Sequence, residues 1–380
     1  MLTLIKDGQV YDPKPLGQTS ILLVDGKIGR VGEVDQAALE RSGLELQVID
    51  AEGCLVTPGL IDPHEHLLGG SGESGFATQT PEIAFSEVVQ GGITTVVGCL
   101  GVDTTTKTLP GLLARAKAFN EEGITAFIYS GGYDVPPVTL TGSVRTDMLM
   151  VAEVIGAGEV AIADARSTAP TLDQLDRLVR DAYVGGLLSR KCGITHFHVG
   201  DEPSRLSLLR SLIDERSIAP ALLYPTHVER NEALMLEAIE LSRRGVTVDV
   251  DTVERDLPHW LKFYMDKGGD LERMTVSSDA ALNSPATVLS QLRECILQHR
   301  HPLHTVLALA TINTANVLKL DAKGRLAPGM DADVLLLDAR SLDVRVVIAR
   351  GRRLVEDGHL RQHETFLHNS NREINLHGQQ

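Results

Sequence analysis

Short apolar runs ended by turn signals open the chain. Leu2–Lys6 leads into Asp7-Gly8, Ile21–Val24 into Asp25-Gly26, and Leu46–Ile49 into Glu52-Gly53. Asp-Gly between apolar runs predicts hairpins, because a two-residue turn needs positive φ at its centre. After Pro58 the period changes, and apolar runs alternate with amphipathic stretches of helical length. The strands predicted there are Gly59–Asp62, Ile93–Leu100, Ile124–Ser130, Val160–Ala163, Ile194–Val199, Ala221–Pro225, Thr247–Val253 and Met274–Ser278. Helices are predicted between them at Pro81–Gln90, Leu112–Asn120, Asp147–Ile155, Leu172–Leu188, Leu206–Glu215 and Ala233–Arg243, and two more near Ala286–Gln298 and Thr305–Leu318. Strands alternating with helices give an α/β protein, either doubly wound or a barrel. Eight strands is the number of the (β/α)8 TIM barrel.

From Gly324 the strand-and-turn pattern returns, with Val334–Leu337, Val344–Arg350 and Leu354–Asp357. The two ends together predict a small β domain, a β-sandwich built from residues 1–57 plus 324–362. The barrel of residues 58–323 is inserted between them, and a polar tail follows at 363–380. A chain of 380 residues suits this division into a large barrel and a smaller unit.

Composition removes several classes of function. A net charge of −15 leaves no basic footprint for nucleic acid. No run approaches the roughly 20 apolar residues that cross a bilayer, so no membrane role is expected. The first residues show neither a basic segment nor an apolar leader, which predicts a cytoplasmic protein. Cys54, Cys99, Cys192 and Cys295 are far apart and form no C-x-x-C, so all four are read as free, buried thiols.

The sharpest chemical signal is His64-Glu65-His66, directly after Pro58-Gly59-Leu60-Ile61-Asp62-Pro63. Side chains at i and i+2 of a strand share a face, so both imidazoles point into the mouth of a barrel, where active sites of that fold lie. Two imidazoles on one face suit a metal such as zinc. Later strand ends add Glu159 in Gly158-Glu159-Val160, opening strand four, then His196-Phe197-His198, Thr226-His227-Val228-Glu229-Arg230 and Ser277-Ser278-Asp279. Each has a plain alternative: a lone strand histidine is more often a hydrogen-bonded core residue, and a terminal aspartate often caps a helix. Five strand ends all offering nitrogen or oxygen ligands point instead to a metal centre.

This ordered set resembles the amidohydrolase superfamily and, within it, isoaspartyl (β-aspartyl) dipeptidases. The narrower resemblance rests on Gly69-Gly70-Ser71-Gly72-Glu73, Thr80-Pro81-Glu82, Val96-Val97-Gly98, Ser130-Gly131-Gly132-Tyr133, Asp164–Pro170, Val184–Leu188 and Pro225–Asn231, and spans nearly the whole chain. It implies a metallopeptidase holding two divalent ions, zinc first. His64, His66 and Asp279 hold one ion, His198 and His227 the other. A metal-bridging hydroxide then attacks the β-linked amide, with Asp279 as general base and then acid. Tyr133 meets the carbonyl oxygen, Glu73 the substrate ammonium, and Arg166 and Arg230 its carboxylates. The partner implied is a small β-aspartyl dipeptide, and the assembly a large homo-oligomer, with an octamer among the options.

The chain departs from that pattern at several places. The family's bridging group on strand four is a carboxylated lysine; here Glu159 takes the position and needs no modification. Ala165 stands where a histidine is common, and Val102 where a threonine touches substrate. The loop after Asp279 reads Ala280-Ala281-Leu282-Asn283-Ser284, with Ser284 as the replacement for a substrate-contacting serine. His196 is assigned to a deeper layer than His198, and His299, His301 and His304 to the surface. Two alternatives stay open: a related binuclear hydrolase of another small amide (a cyclic amide or N-acyl amino acid), and a catalytically silent binding or scaffold protein.

Overall fold

The computed structural model describes residues 2–371. Eight parallel strands form a barrel-like α/β core. They are Leu60–Glu65, Ile93–Gly98, Thr125–Ser130, Val154–Ile162, Thr195–Val199, Leu223–Thr226, Val248–Asp251 and Met274–Ser277. The first six are hydrogen-bonded side by side in sequence order, and the last two pair with each other. The eighth returns to the first: Asp279 N donates to His64 O at 3.1 Å and His66 N to Ala280 O at 3.0 Å. The sixth meets the seventh through Thr226 Oγ1, which donates to Asp249 Oδ2 at 2.9 Å. Helices such as Leu109–Glu122, Leu172–Ser189 and Glu232–Arg243 separate consecutive strands. Their apolar faces cover the strands: Leu112, Ala116 and Phe119 are fully buried, as are Leu175 and Val179.

Strand four begins at Val154, six residues before the predicted Val160, so Glu159 sits inside the strand rather than opening it. Glycines hide the strand's first half from pattern reading. A Cβ on Gly156 would meet Ile194 O at 2.8 Å, and one on Gly158 would meet His196 Cβ at 2.8 Å. The neighbouring strand therefore approaches too closely for side chains there. The helix predicted at Asp147–Ile155 is displaced to Val144–Met150, where Ser143 caps it by accepting from Thr146 N. The stretch Thr305–Leu318 divides into Leu303–Leu309 and Ile312–Val317, and the helix Leu257–Asp266, with Pro258 in its first turn, was not anticipated.

The chain ends build one continuous nine-stranded sheet. Cys54–Pro58 lies at its centre, parallel to Leu2–Asp12 and antiparallel to Val334–Asp338. Ile5, Ile21, Val56, Val334 and Ile348 share a core separate from the barrel's, so the sheet curls around its own face. Asp25-Gly26 makes the predicted hairpin between Lys14–Val24 and Lys27–Val31, with φ of 46° and 83°. Asp7-Gly8 does not. It is a bulge inside Leu2–Asp12, where the register shifts between Ile5 and Gly8. Glu52-Gly53 is likewise no hairpin, because the strands on either side both run parallel to Leu2–Asp12. Of the tail 363–380, residues 363–371 are described, and Glu364 there accepts from Ser86 N at 2.9 Å. Residues 372–380 lie outside the described residues. No helix among those described is long and apolar enough to cross a membrane.

Candidate metal centre

A cavity of about 740 Å³ opens over the C-terminal ends of the barrel strands. His66, His198, His227 and Asp279 line its floor, while Glu73, Tyr133, Arg166 and Arg230 stand in its walls. His64 and Glu159 lie beneath, fully buried. The strand alternation that aims His64 at the barrel axis aims His66 the same way. His227 and Asp279 turn inward just past their strands, with left-handed φ of 60° and 46°. Such angles are uncommon in residues with a Cβ and recur at functional sites.

Glu159 is the hub. Its Oε2 lies 3.2 Å from His64 Nε2 and 3.8 Å from His66 Nε2. Its Oε1 lies 2.8 Å from His198 Nδ1 and 3.3 Å from His227 Nε2. One carboxylate thus offers one oxygen to each pair of imidazoles. Asp279 Oδ1 stands over the first pair, 3.0 Å from His66 Nε2 and 3.4 Å from His64 Nε2.

Several of these atoms approach closely without bonding one another. Both ring nitrogens of His64 and Oδ1 of Asp279 are buried with no hydrogen-bond partner. Ligands of a shared cation stand this way: close, converging and unpaired. Among the described residues, three sets of ligand atoms lie within 4.8 Å of one another, namely His64, His66, Cys99 and Glu159; Glu159, His198 and His227; and His227, Asp251 and Asp279. The electrostatics agree. Burial disfavours a charged Glu159, but the charge of His64 and hydrogen bonds from His198 and His227 outweigh it and hold the carboxyl well below its usual range. Burial likewise opposes a proton on His64, yet Glu159 draws its pKa well above the imidazole range. The buried carboxylates make a field that demands positive charge, and the nitrogen and oxygen donor set fits divalent metal ions.

Around this floor, hydrogen bonds orient each group. His227 Nδ1 meets Asp251 Oδ2 at 2.6 Å. Burial alone would lower the pKa of His227, but the Asp251 and Glu159 hydrogen bonds lift it to about 9. Burial, and then the neighbouring Asp251, push the Glu229 carboxyl well above its usual range. The Tyr133 hydroxyl lies 2.8 Å from His198 Nδ1. Burial and then Glu159 raise its pKa well above the phenol range, so Tyr133 remains a donor. Arg166 holds Asp164 with two hydrogen bonds, of 2.9 Å and 2.8 Å, and reaches Glu73 Oε1 at 2.7 Å. Arg230 Nε donates to Val199 O at 2.7 Å, which fixes the guanidinium at the wall.

Not every expected residue arrives. Ser284 is exposed, lies outside the cavity wall and accepts from Ala286 N at 3.3 Å at the start of helix Thr287–Leu297; Leu282 takes the wall instead. His196 stacks against Tyr129 in the barrel interior, with Nδ1 2.9 Å from Tyr224 O. His299 is exposed, and His301 and His304 are half-buried. The sequence alone assigns no role here to Asp164 or Asp251, and gives Cys99 only as a buried thiol. Asp251 was legible in the alternation Asp249-Val250-Asp251, and Cys99 in its place directly after a barrel strand.

Residues 55–354 match the amidohydrolase family. The β-aspartyl dipeptidase from the thermophilic, keratin-degrading Fervidobacterium islandicum AW-1 superposes with a TM-score of 0.91 and 39% identity, over 95% of this chain and 99% of that one. Its complex with the dipeptide β-Asp-Leu gives 0.91 and 38%, over 95% and 98%. Adenine deaminase 1 of Latilactobacillus sakei is 24% identical over 94% of this chain, which spans 58% of that relative's length.

Proposed function

This chain belongs to the amidohydrolase family, and we propose that it hydrolyses the β-linked amide bond of isoaspartyl dipeptides. One observation carries the reading: a single cavity holds both the histidine floor above Glu159 and the charged anchors Glu73, Arg166 and Arg230. A neutral ring needs no such anchors; a zwitterionic peptide with an extra carboxylate needs about that set.

His64, His66 and Asp279 would hold one divalent ion, zinc by donor type, and His198 and His227 a second. Glu159 lies between the two histidine pairs and would take the place of a carboxylated lysine. Bound ions would supply Lewis acidity and bring the pKa of water near neutrality. Asp279 accepts the proton of the attacking water and delivers it to the leaving nitrogen as the C–N bond breaks. Tyr133 donates to the carbonyl oxygen as charge develops there. The products are aspartate and a free amino acid. Glu73 and Arg166 face each other at 2.7 Å before substrate arrives. Substrate exchanges that contact for two of its own, ammonium on Glu73 and carboxylate on Arg166, with Arg230 completing the clamp.

The eight parallel strands are read as a (β/α)8 barrel of residues 58–323. The curled terminal sheet, residues 1–57 plus 324–362, is read as a β-sandwich, a division supported by its separate core. Exposed Met150, Leu187 and Leu188 support a homo-oligomer.

The test is a side-by-side incubation of the metal-loaded protein with β-Asp-Leu and α-Asp-Leu, following leucine release. Cleavage of the β-linked peptide alone is expected. Equal cleavage of both removes the linkage specificity. Cleavage of neither, with two metals bound, sends the assignment to another small amide.

A further inference from the structure

Cys99 directly follows the second barrel strand and is 1% exposed. Its backbone N donates to Glu65 O at 3.1 Å, which locks it beside the end of the first strand, between His64 and His66. Its Sγ stands 3.9 Å from Glu159 Oε2, and 3.7 Å and 4.0 Å from the two ring nitrogens of His66. The sulfur belongs to the same tight group as the ligand atoms of His64, His66 and Glu159. His64, fully buried and with both ring nitrogens unpartnered, is an independent mark of a ligand at this spot.

These separations suit ligands better than hydrogen bonds. With Zn–N near 2.0–2.1 Å and Zn–S near 2.3 Å, ligand atoms on one zinc stand roughly 3–4 Å apart. Apart from these atoms, the only partner within reach of the thiol among the described residues is Glu65 O, at 3.8 Å.

We propose that Cys99 is a ligand of the metal held by His64 and His66, binding as the thiolate. The inference rests on the metal-site reading above and adds a sulfur donor to it. On binding, the thiol gives its proton to solvent as the metal–sulfur bond forms. The thiolate would join the carboxylates of Glu159 and Asp279 and the two imidazoles around that cation. A soft donor also biases this position towards zinc and cobalt over manganese and magnesium.

The experiment uses the cobalt- and zinc-loaded full chain. The cobalt protein is expected to show a thiolate-to-cobalt charge-transfer band in the near ultraviolet. Cys99→Ser should remove that band while the visible cobalt bands persist, and should weaken zinc binding by about 10- to 100-fold, as loss of a supporting ligand contact does. X-ray absorption of the unsubstituted zinc protein should show a sulfur scatterer at about 2.3 Å, a readout that does not depend on the variant folding. Bound metal with only nitrogen and oxygen scatterers overturns the proposal and leaves the metal site standing. Failure to bind either metal overturns both.

Discussion

His227 and Asp251 meet at 2.6 Å, ring Nδ1 to carboxylate Oδ2, while Nε2 of the same ring faces Glu159 at 3.3 Å. The aspartate keeps the ring's proton on Nδ1 and so presents the Nε2 lone pair to the centre of the site. Asp251→Ala should therefore lower affinity for the metal that His227 is proposed to hold by about 10- to 100-fold. A competitive chelator titration checks this; metal binding as tight in the variant as in the native protein would show that Asp251 orients nothing.

Asp279→Asn retains an oxygen at the same place but cannot accept a proton. Turnover of β-Asp-Leu should fall by about 10²- to 10⁴-fold, while metal content by elemental analysis stays close to that of the native protein. Near-normal activity would remove Asp279 as the proton carrier.

Glu159 supplies its carboxylate from the sequence, already in place and fully buried. Apoprotein loaded with zinc should regain the same activity in bicarbonate-free buffer as with bicarbonate added. A requirement for bicarbonate would mean that a modified lysine serves the site.

Arg230 approaches the cavity with its Nε held by Val199 O. Lysine offers a point charge and no fork, so Arg230→Lys should raise KM for β-Asp-Leu by about tenfold, equal to ~1.4 kcal/mol, with a smaller change in kcat. An unchanged KM would take Arg230 out of substrate binding.

Lys323, 6% exposed, ties the terminal sheet with Nζ 2.5 Å from Asp333 Oδ2 and 3.0 Å from Asp331 Oδ2. Lys323→Met leaves the buried Asp333 carboxylate without its cation and Asp331 with Lys27 alone, and should cost about 3 kcal/mol in urea unfolding. Burial pushes the Asp331 pKa up, but Lys323 and Lys27 outweigh it and hold it below the usual value. A lowered folded pKa means stability that is complete above the unfolded value of about 3.9 and disappears as pH falls through the folded one. The stability gap between native protein and variant should therefore be full at about pH 6 and narrow towards about pH 3. A gap that does not change with pH would assign the loss to packing.

The candidate metal floor was legible because its proposed donors sit at strand ends in a fixed order: His64, His66, Glu159, His198, His227 and Asp279 can each be named from the chain alone, and the structure brings all six side chains together. What sequence could not show lay in the third dimension. Gly156 and Gly158 interrupt the apolar run of strand four only because the next strand presses against them. Asp7-Gly8 has the composition of a hairpin, yet the strand continues because Leu46–Asp50 and Cys54–Pro58 pair along it on both sides of the bulge. Ser284 follows from the resemblance alone, as a serine shifted by one position, and the loop's turn puts Leu282 at the wall instead. Cys99 looked inert because nothing in its neighbours along the chain announces the imidazoles it faces.

Strand Cys54–Pro58 has consequences for the order of synthesis. One edge partner lies in residues 2–12, but the other, Val334–Asp338, comes 278 residues later. At about 5–20 residues per second, a ribosome needs roughly 15–60 s to deliver that partner. Until then the emerging chain carries an open strand edge, a ready template for pairing with a neighbouring nascent chain. The barrel is made and able to fold within that interval, and it brings Pro58 and Gly324 towards each other before the last strands arrive. A chain stalled or cleaved before residue 334 would hold every proposed ligand of the candidate metal centre and still be aggregation-prone, because its edge at Val56 never closes.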